Sequence, residues 1–237
     1  MKIFGRGKGV WGRSYDGLPI KADYRVHDIA YAVIEHHFGS AAHLKVLDIA
    51  TGTGAFAKRL ADRFPGWNLE INDFEDQALV TGINKRKVDL NSSFGNSFDG
   101  DGYDLVVAIE IIEHLENPWH FLRELRKLLR HGGALVLSTP NVDSTLDRLI
   151  YVIDGHAHYF GARGYTNSGG HITQVPDWLF RRIAGSSGYT RVELNGSVDT
   201  APHMGLRTIV KLLLVMPLSF AFMRNRNDRS INIYVCN

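Results

Sequence analysis

The sequence predicts an α/β protein built on a doubly wound, mostly parallel sheet. Three observations carry that expectation. Residues 45–61, KVLDIATGTGAFAKRLA, read as an apolar strand, a glycine-bearing turn and a helix. Residues 103–109, YDLVVAI, form a near-continuous apolar run of the kind a strand covered on both faces requires. Around these segments, strand-like and helix-like stretches alternate, the pattern of a parallel sheet with crossover helices.

In chain order, residues 1–21 carry several glycines and basic residues around Trp11 and read as a mobile arm without an apolar leader segment, so a cytoplasmic chain is expected. Asp28 to Phe38 reads as a helix beside the sheet. The first strand runs into the Gly52–Gly54 turn, and Ala55 to Ala61 is helix-prone. Trp67 to Ile71 reads as a second strand with Asp73 just past its end, and Val88-Asp89-Leu90 as a short third one. A polar loop spans Asn91 to Gly102, and Tyr103 to Ile109 is the fourth strand. Pro118 is placed to open a helix whose apolar stripe is Trp119, Leu122, Leu125 and Leu129, closed by His131-Gly132-Gly133. Ala134 to Ser138 reads as a fifth strand, Gln174 to Ser187 as a helix, Thr190 to Val198 as a sixth strand and Ile231 to Cys236 as a seventh. The expected organisation is a single domain over residues 1–237, with insertions at 141–173 and 199–230.

The turn after the first strand narrows the ligand. Gly52 and Gly54 permit a tight bend and close backbone approach, which any nucleotide-type ligand needs. Asp48, at the strand's end, adds a charge argument: a pyrophosphate over this turn would be repelled, whereas a cationic ligand would be attracted. S-adenosylmethionine, with its sulfonium and ammonium, satisfies that condition. Asp73 lies where a carboxylate accepting from both ribose hydroxyls is expected, about 20 residues after the glycines. Two alternatives stay open at this point. Gly52-x-Gly54-x-x-Ala57 also matches the dinucleotide fingerprint of an NAD(P)-dependent oxidoreductase, and a βα turn can be purely structural.

Taken together, VLDIATGTG, the acidic loop at Asp73 and YDLVVAIEIIEHLENPWHFLRELRKLLRHGGALVLSTPN resemble the class I S-adenosylmethionine-dependent methyltransferases. The similarity covers about residues 40–190 and is nearest to the branch holding ubiquinone-biosynthesis O-methyltransferases and small methyltransferases of polysaccharide assembly. The resemblance implies a seven-stranded Rossmann-like sheet whose antiparallel seventh strand lies between the fifth and sixth. It implies that Asp48, Ala50, Thr51, Gly52 and Gly54 line the methionine moiety and that Asp73 takes the ribose. Asp89 and Leu90 would flank the adenine, while Ile109 and Glu110 would close over the sulfonium. The family usually has glycine where this chain has Ala50; with a negative φ there, alanine would cost little. Tyr15, Tyr24 and Arg25 are lid candidates, and the 141–173 insertion would shape the acceptor pocket.

For O-methylation of a neutral hydroxyl a general base helps, and His114, one turn beyond Glu110, is the best-placed candidate, with His171 second. His156, His158 and Tyr165 are acceptor-side candidates in the insertion. Three imidazoles at 156, 158 and 171 without carboxylates fit magnesium poorly, so no metal is expected. A cofactor-binding relative without turnover remains the alternative to an enzyme.

Composition restricts the partners. A net charge of +2 over 237 residues, with no basic-aromatic patch, argues against nucleic acid. One cysteine, Cys236, excludes an internal disulfide. Residues 209–223 are apolar but interrupted by Lys211 and Pro217, too short to span a bilayer. They read as a core or homodimer helix, or as an interfacial helix whose flanking Arg207, Arg224, Arg226 and Arg229 touch anionic lipid, suited to a lipid-linked acceptor at the inner membrane face.

Overall fold

The computed structural model describes residues 14–74, 78–98, 102–162, 170–198 and 229–237. The expected features at Trp11, Tyr165, Arg207, 209–223, Arg224 and Arg226 lie outside the described residues. So does most of the 199–230 insertion.

A small hairpin, β1 (Ser14–Tyr15) and β2 (Leu18–Pro19), opens the described chain and turns through Asp16 and Gly17 at φ of 47° and 77°. That pair of positive φ values matches the twist a two-residue hairpin needs. Helix α1 (Tyr24–Phe38) follows, one turn longer than the sequence reading. Asp23 supplies the reason: its carboxylate accepts from the Arg25 N–H and caps the first turn.

The main sheet contains β3 (Lys45–Ile49), β4 (Asn68–Asn72), β5 (Asn84–Arg86), β6 (Tyr103–Ala108), β7 (Leu129–Pro140), β8 (Val192–Val198) and β9 (Ile231–Cys236). Their spatial order is β5-β4-β3-β6-β7-β9-β8. All neighbours run parallel except β9, which is antiparallel to both β7 and β8. The expected doubly wound sheet, with its last strand inserted between the fifth and sixth, is thus the one observed.

Side-chain alternation builds a core on each face. Leu47, Ile49, Val106 and Ala108 point to the side covered by α3 (Pro118–Leu128) and, past α4 (Thr145–Asp154), α5 (Asp177–Ser186). Val46, Leu105 and Val107 point to the other, against α1 and α2 (Ala55–Arg63). Burial of these central strands on both faces explains why they read as continuous apolar runs.

Two boundaries differ from expectation. The third strand is Asn84–Arg86, not 88–90: it is a polar edge strand paired with Glu70–Asn72, and short charged edges resist strand addition from other chains. Helix α3 stops at Leu128, and Leu129 already pairs with Tyr103. The Gly132-Gly133 pair is therefore not a helix stop but lies within β7. A side chain on Gly133 would sit 2.6 Å from the Tyr103 carbonyl, so close passage of the two strands requires glycine.

Candidate active site

Strand β3 sits at the centre of the sheet and delivers its C-terminal end, Asp48 and Ile49, between β4 and β6, where the chain reverses its winding direction. There the backbone turns left-handed three times, at Ala50 (φ 55°), Gly52 (φ 58°) and Gly54 (φ 85°). The expectation of a negative φ at Ala50 is corrected: alanine occupies a conformation that costs an L-residue about 1–2 kcal/mol. Three hydrogen bonds hold it there. Thr51 N–H donates to the Asn72 carbonyl (2.9 Å), Gly54 N–H to the Thr51 carbonyl (3.0 Å) and Gly52 N–H to Asp73 Oδ2 (2.8 Å). Ala50→Gly is expected to stabilise the fold by about 0.5–1 kcal/mol, part of the strain relief being offset by the freer unfolded chain. Urea unfolding checks this; a loss of stability would show that Ala50 is not strained.

The two glycines have different reasons. Among the described residues, a Cβ on Gly52 would meet only the Lys21 side chain, at 3.8 Å, which leaves room there for a ligand. A Cβ on Gly54 would fall 2.2 Å from Val80 Cγ1, so this glycine is demanded by internal packing as well as by its φ.

Asp48 is buried beneath the turn, where Thr51 Oγ1 donates to it at 2.5 Å. Burial pushes its carboxyl up to about 7, and the neighbouring Asp73 charge adds to that, while Thr51 and the Ala57 N–H pull it down. Asp48 and Asp73 bring two carboxyl groups to the turn, and Asp48 shapes the loop from below. Because the folded form binds the Asp48 proton more tightly than the unfolded chain does, its contribution to stability is present at acid pH and is lost as pH rises from about 4 to about 7. Asp48→Asn is expected to flatten stability against pH in that window, read from urea midpoints; an unchanged slope would contradict it.

Asp73 follows β4 directly and is buried at the turn. Asn72 ties the next segment to it, its Nδ2 donating to the Arg86 and Val88 carbonyls. Asp89 and Leu90 are placed differently from expectation. Asp89 Oδ1 accepts from the Asn91 N–H in a local turn, and Leu90 is buried in the core on the α3 side. The adenine-flanking role is therefore not supported for the Leu90 side chain.

At the neighbouring strand end, Ile109 is half-buried and Glu110 takes φ 50°, a strained backbone for a non-glycine. Ser138 on β7 holds it from both ends, accepting from the Glu110 N–H (2.9 Å) and donating to Glu110 Oε1 (2.7 Å). Burial raises the Glu110 carboxyl to about 7, with a smaller push from Asp23. The start of α1 thus stands beside the β6 edge of the site.

The lid candidates separate. Tyr15 OH donates to Asp62 Oδ2 on the last turn of α2, about two helical turns from the glycine end, so it is not over the turn. The hairpin itself does cover it, because Thr53 Oγ1 donates to the Pro19 carbonyl at 2.5 Å. Arg25 pairs with Asp23, and Tyr24 is the first residue of α1.

The histidines also divide. His156 Nδ1 lies 3.0 Å from the Ala157 carbonyl, and the His158 backbone N–H donates to Asp147. His171 instead packs edge-on against His114, ring centres 4.6 Å apart, and its Nε2 is 3.9 Å from Glu113 Oε1. The Ile172 and Thr173 N–H groups donate to the Glu113 carbonyl, pinning this loop to the 3-10 turn Ile112–His114. Burial, then the His114 charge, lowers His171 to about 4, so it is neutral near pH 7. His171 thus lies beside His114 and a fully buried Glu113, a carboxyl neighbour that the spacing of the three imidazoles does not indicate. Sequence reasoning quoted Glu113 within EIIEHL without a role, and Ser138 and Asp23 were missed altogether; only the fold brings them to Glu110.

Comparison with known proteins follows this geometry. Residues 25–194 match the family model described as a methyltransferase domain, most of the chain, and the chain belongs to that family. A ubiquinone biosynthesis O-methyltransferase of Rickettsia bellii is 29% identical over 139 residues, covering 56% of this chain and 55% of the relative. The chain thus spans about half the length of the curated relatives it matches. A S-adenosylmethionine-dependent methyltransferase of Archaeoglobus fulgidus shares the fold, with a TM-score of 0.57 at 14% identity over 89% of this chain and 94% of the other. So does a Haemonchus contortus phosphoethanolamine N-methyltransferase solved with S-adenosyl-L-methionine, TM-score 0.55 at 12% identity over 88% of this chain and 51% of that one. The fold class and membership of a methyltransferase-domain family agree with the sequence reading. No helix among the described residues is long and apolar enough to cross a membrane.

Proposed function

We propose that the protein transfers the methyl group of S-adenosylmethionine to a hydroxyl oxygen of a small-molecule, sugar or lipid-linked acceptor, releasing S-adenosylhomocysteine. The observation that carries the cofactor side is the bond from the Gly52 N–H to Asp73, beneath open space at the sheet's switch point. Asp73 would accept from the ribose hydroxyls, Ala50 to Gly52 would follow the methionine end, and the Asp48 and Asp73 charges would favour the sulfonium and ammonium. Glu110 and Ile109 would close the β6 side.

In the reaction the acceptor oxygen attacks the methyl carbon in line with sulfur. A C–O bond forms, the C–S bond breaks with its electron pair returning to sulfur, and the hydroxyl proton is released. Alignment supplies much of the acceleration. Activation of the hydroxyl is assigned to the His114–His171–Glu113 side of the site. Ile172, 49% exposed, and Tyr151 and Val152 on α4, at 53% and 73%, present apolar surface on the 141–173 insertion, which suits an acceptor with an apolar portion. The name of the Rickettsia relative supports oxygen as the methylated atom.

Incubation with S-adenosylmethionine and panels of phenolic, sugar and amine acceptors, followed by mass spectrometry of S-adenosylhomocysteine and product, tests this. Product from hydroxylated acceptors is expected. Turnover confined to amines would overturn the oxygen assignment.

A further inference from the structure

A second concave surface opens beside the sheet, away from the glycine turn. It is a cleft of about 280 Å³ bordered by the start of α5, the loop from β7 into α4, and strands β8 and β9. Neighbouring strands lie about 4.8 Å apart, so a cleft over β9, two strands from β6, stands roughly 10 Å to the side of Glu110. One wall is Trp178, which borders the cleft and is 66% exposed. The floor is polar, and its members are tied to one another. Asn232, buried on β9, donates to Tyr234 OH (3.1 Å), and Tyr234 OH donates to Asp177 Oδ1 (2.8 Å). Arg181 Nε donates to both Asp177 oxygens, and the Asp177 N–H donates to Asp143 Oδ2 at 2.9 Å.

We infer that this cleft is a saccharide-binding subsite, which takes one uncharged sugar ring against Trp178. The lining selects that class of ligand. A sugar ring has an apolar C–H face and a rim of hydroxyls; the indole meets the face, and mixed donors and acceptors meet the rim. Arg148 supplies donors. Its Nη2 stands 4.0 Å from Asp143 Oδ1, too far for a hydrogen bond, so the guanidinium can turn its N–H groups to a ligand. Asp177 supplies an acceptor, because its Oδ2 takes a bond from Arg181 and a carboxylate oxygen has two lone pairs. Arg148 and Arg181 balance Asp143 and Asp177, so the lining has no net charge to attract an ion. A purely aromatic ligand would stack on Trp178 but strip water from Arg148 and Asp177 without replacing it. The volume lies at the small end of ligand pockets, about 300–1,000 Å³, which suits a single ring rather than a nucleotide.

The local fold supports preorganisation. Trp178 is the second residue of α5, and Phe180 in the same turn is fully buried and stacks on Tyr234, ring centres 4.1 Å apart. Arg181 Nη1 donates to the Val192 carbonyl at 2.8 Å, which ties α5 to β8. With these neighbours fixed before a ring arrives, little ordering cost is left to binding. Arg148 comes from α4, so the cleft is continuous with the 141–173 insertion. An acceptor of two or more rings would anchor one of them here and present a hydroxyl toward Glu110. That acceptor role rests on the proposed methyl transfer, whereas the subsite itself does not.

The test is saturation-transfer difference NMR of the full chain with the methyl glycosides of glucose, galactose, mannose, rhamnose and N-acetylglucosamine. Methyl glucuronide and phenol serve as the charged and the aromatic comparison. Saturable binding of at least one uncharged glycoside is expected. Trp178→Ala should weaken it at least about tenfold, as truncation of a central aromatic anchor does. Trp178→Tyr keeps a smaller platform and should recover part of the loss, and Arg148→Gln should weaken binding several-fold. Titration of every variant with S-adenosylhomocysteine serves as the fold and cofactor control. No glycoside signal in a chain that binds S-adenosylhomocysteine would overturn the subsite and leave the methyltransferase reading standing. Equal glycoside binding by Trp178→Ala would also overturn it, as would phenol or the glucuronide bound in preference to every uncharged glycoside. Glycoside binding by a chain that takes up no S-adenosylhomocysteine would instead strike the cofactor reading alone.

Discussion

Asp73→Ala is expected to weaken S-adenosylhomocysteine binding by on the order of a hundredfold, measured by isothermal titration. Hydrogen bonds to a charged group contribute about 1.5–3 kcal/mol each, and a carboxylate placed to accept from both ribose hydroxyls makes two. Tenfold in affinity corresponds to 1.4 kcal/mol, so even a partial loss reaches that range. A second consequence distinguishes this residue from a generic surface contact. Its Oδ2 also accepts from the Gly52 N–H at 2.8 Å, so the variant frees the turn and should lower stability by about 1 kcal/mol. Asp73→Asn keeps an acceptor oxygen for Gly52 and should recover most of the stability but little of the affinity. Equal affinity in wild type and Asp73→Ala would remove Asp73 from the site.

Glu113→Met is expected to act in the opposite direction on stability. The wild-type carboxyl group is fully buried, and burial, together with the Glu110 charge, pushes its pKa well above the usual carboxylate range. Replacing buried charge with an apolar side chain of similar volume often stabilises a fold by about 1–4 kcal/mol. The variant should therefore melt a few degrees higher while losing methyl transfer. The gap in stability should be widest near neutral pH and narrow on acidification. The folded-state value is the raised one, so protonation favours the folded wild type as pH falls. A destabilised variant with full activity would mean that Glu113 is a structural residue with partners of its own. Thermal unfolding at two pH values, with an activity assay, decides between these outcomes.

Much of this fold was legible because central strands and crossover helices have strong periodic signatures. The 103–108 run and the amphipathic stripe of α3 are of that kind. The grouping of Asp48, Gly52, Gly54 and Asp73 about one turn was legible too, because most of a strand-to-helix turn is local in sequence. What failed to show was tertiary. The edge strand 84–86 is polar because only one of its sides is paired, so it carries less apolar signal than Val88 and Leu90 beside it. Leu90 proved to be core rather than ligand surface. Ala50 takes a positive φ because Asn72 and Asp73 anchor the residues after it, and nothing in the residue type announces that. The pairing of Glu113 with His171 spans an insertion, and only the backbone bonds of Ile172 and Thr173 bring the two together. His156-x-His158 had the more suggestive spacing, yet the His156 ring lies against the Ala157 carbonyl and the His158 ring against Tyr159.

The central claim is that the Ala50–Gly54 turn with Asp73 holds a cationic nucleoside cofactor rather than a dinucleotide. Isothermal titration of the full chain with S-adenosylhomocysteine, repeated in the presence of saturating NAD+, tests it most directly. Saturable binding of one S-adenosylhomocysteine per chain, unaffected by NAD+ and lost in Asp73→Ala, is the predicted result. Absence of S-adenosylhomocysteine binding, or its displacement by NAD+, would contradict the account.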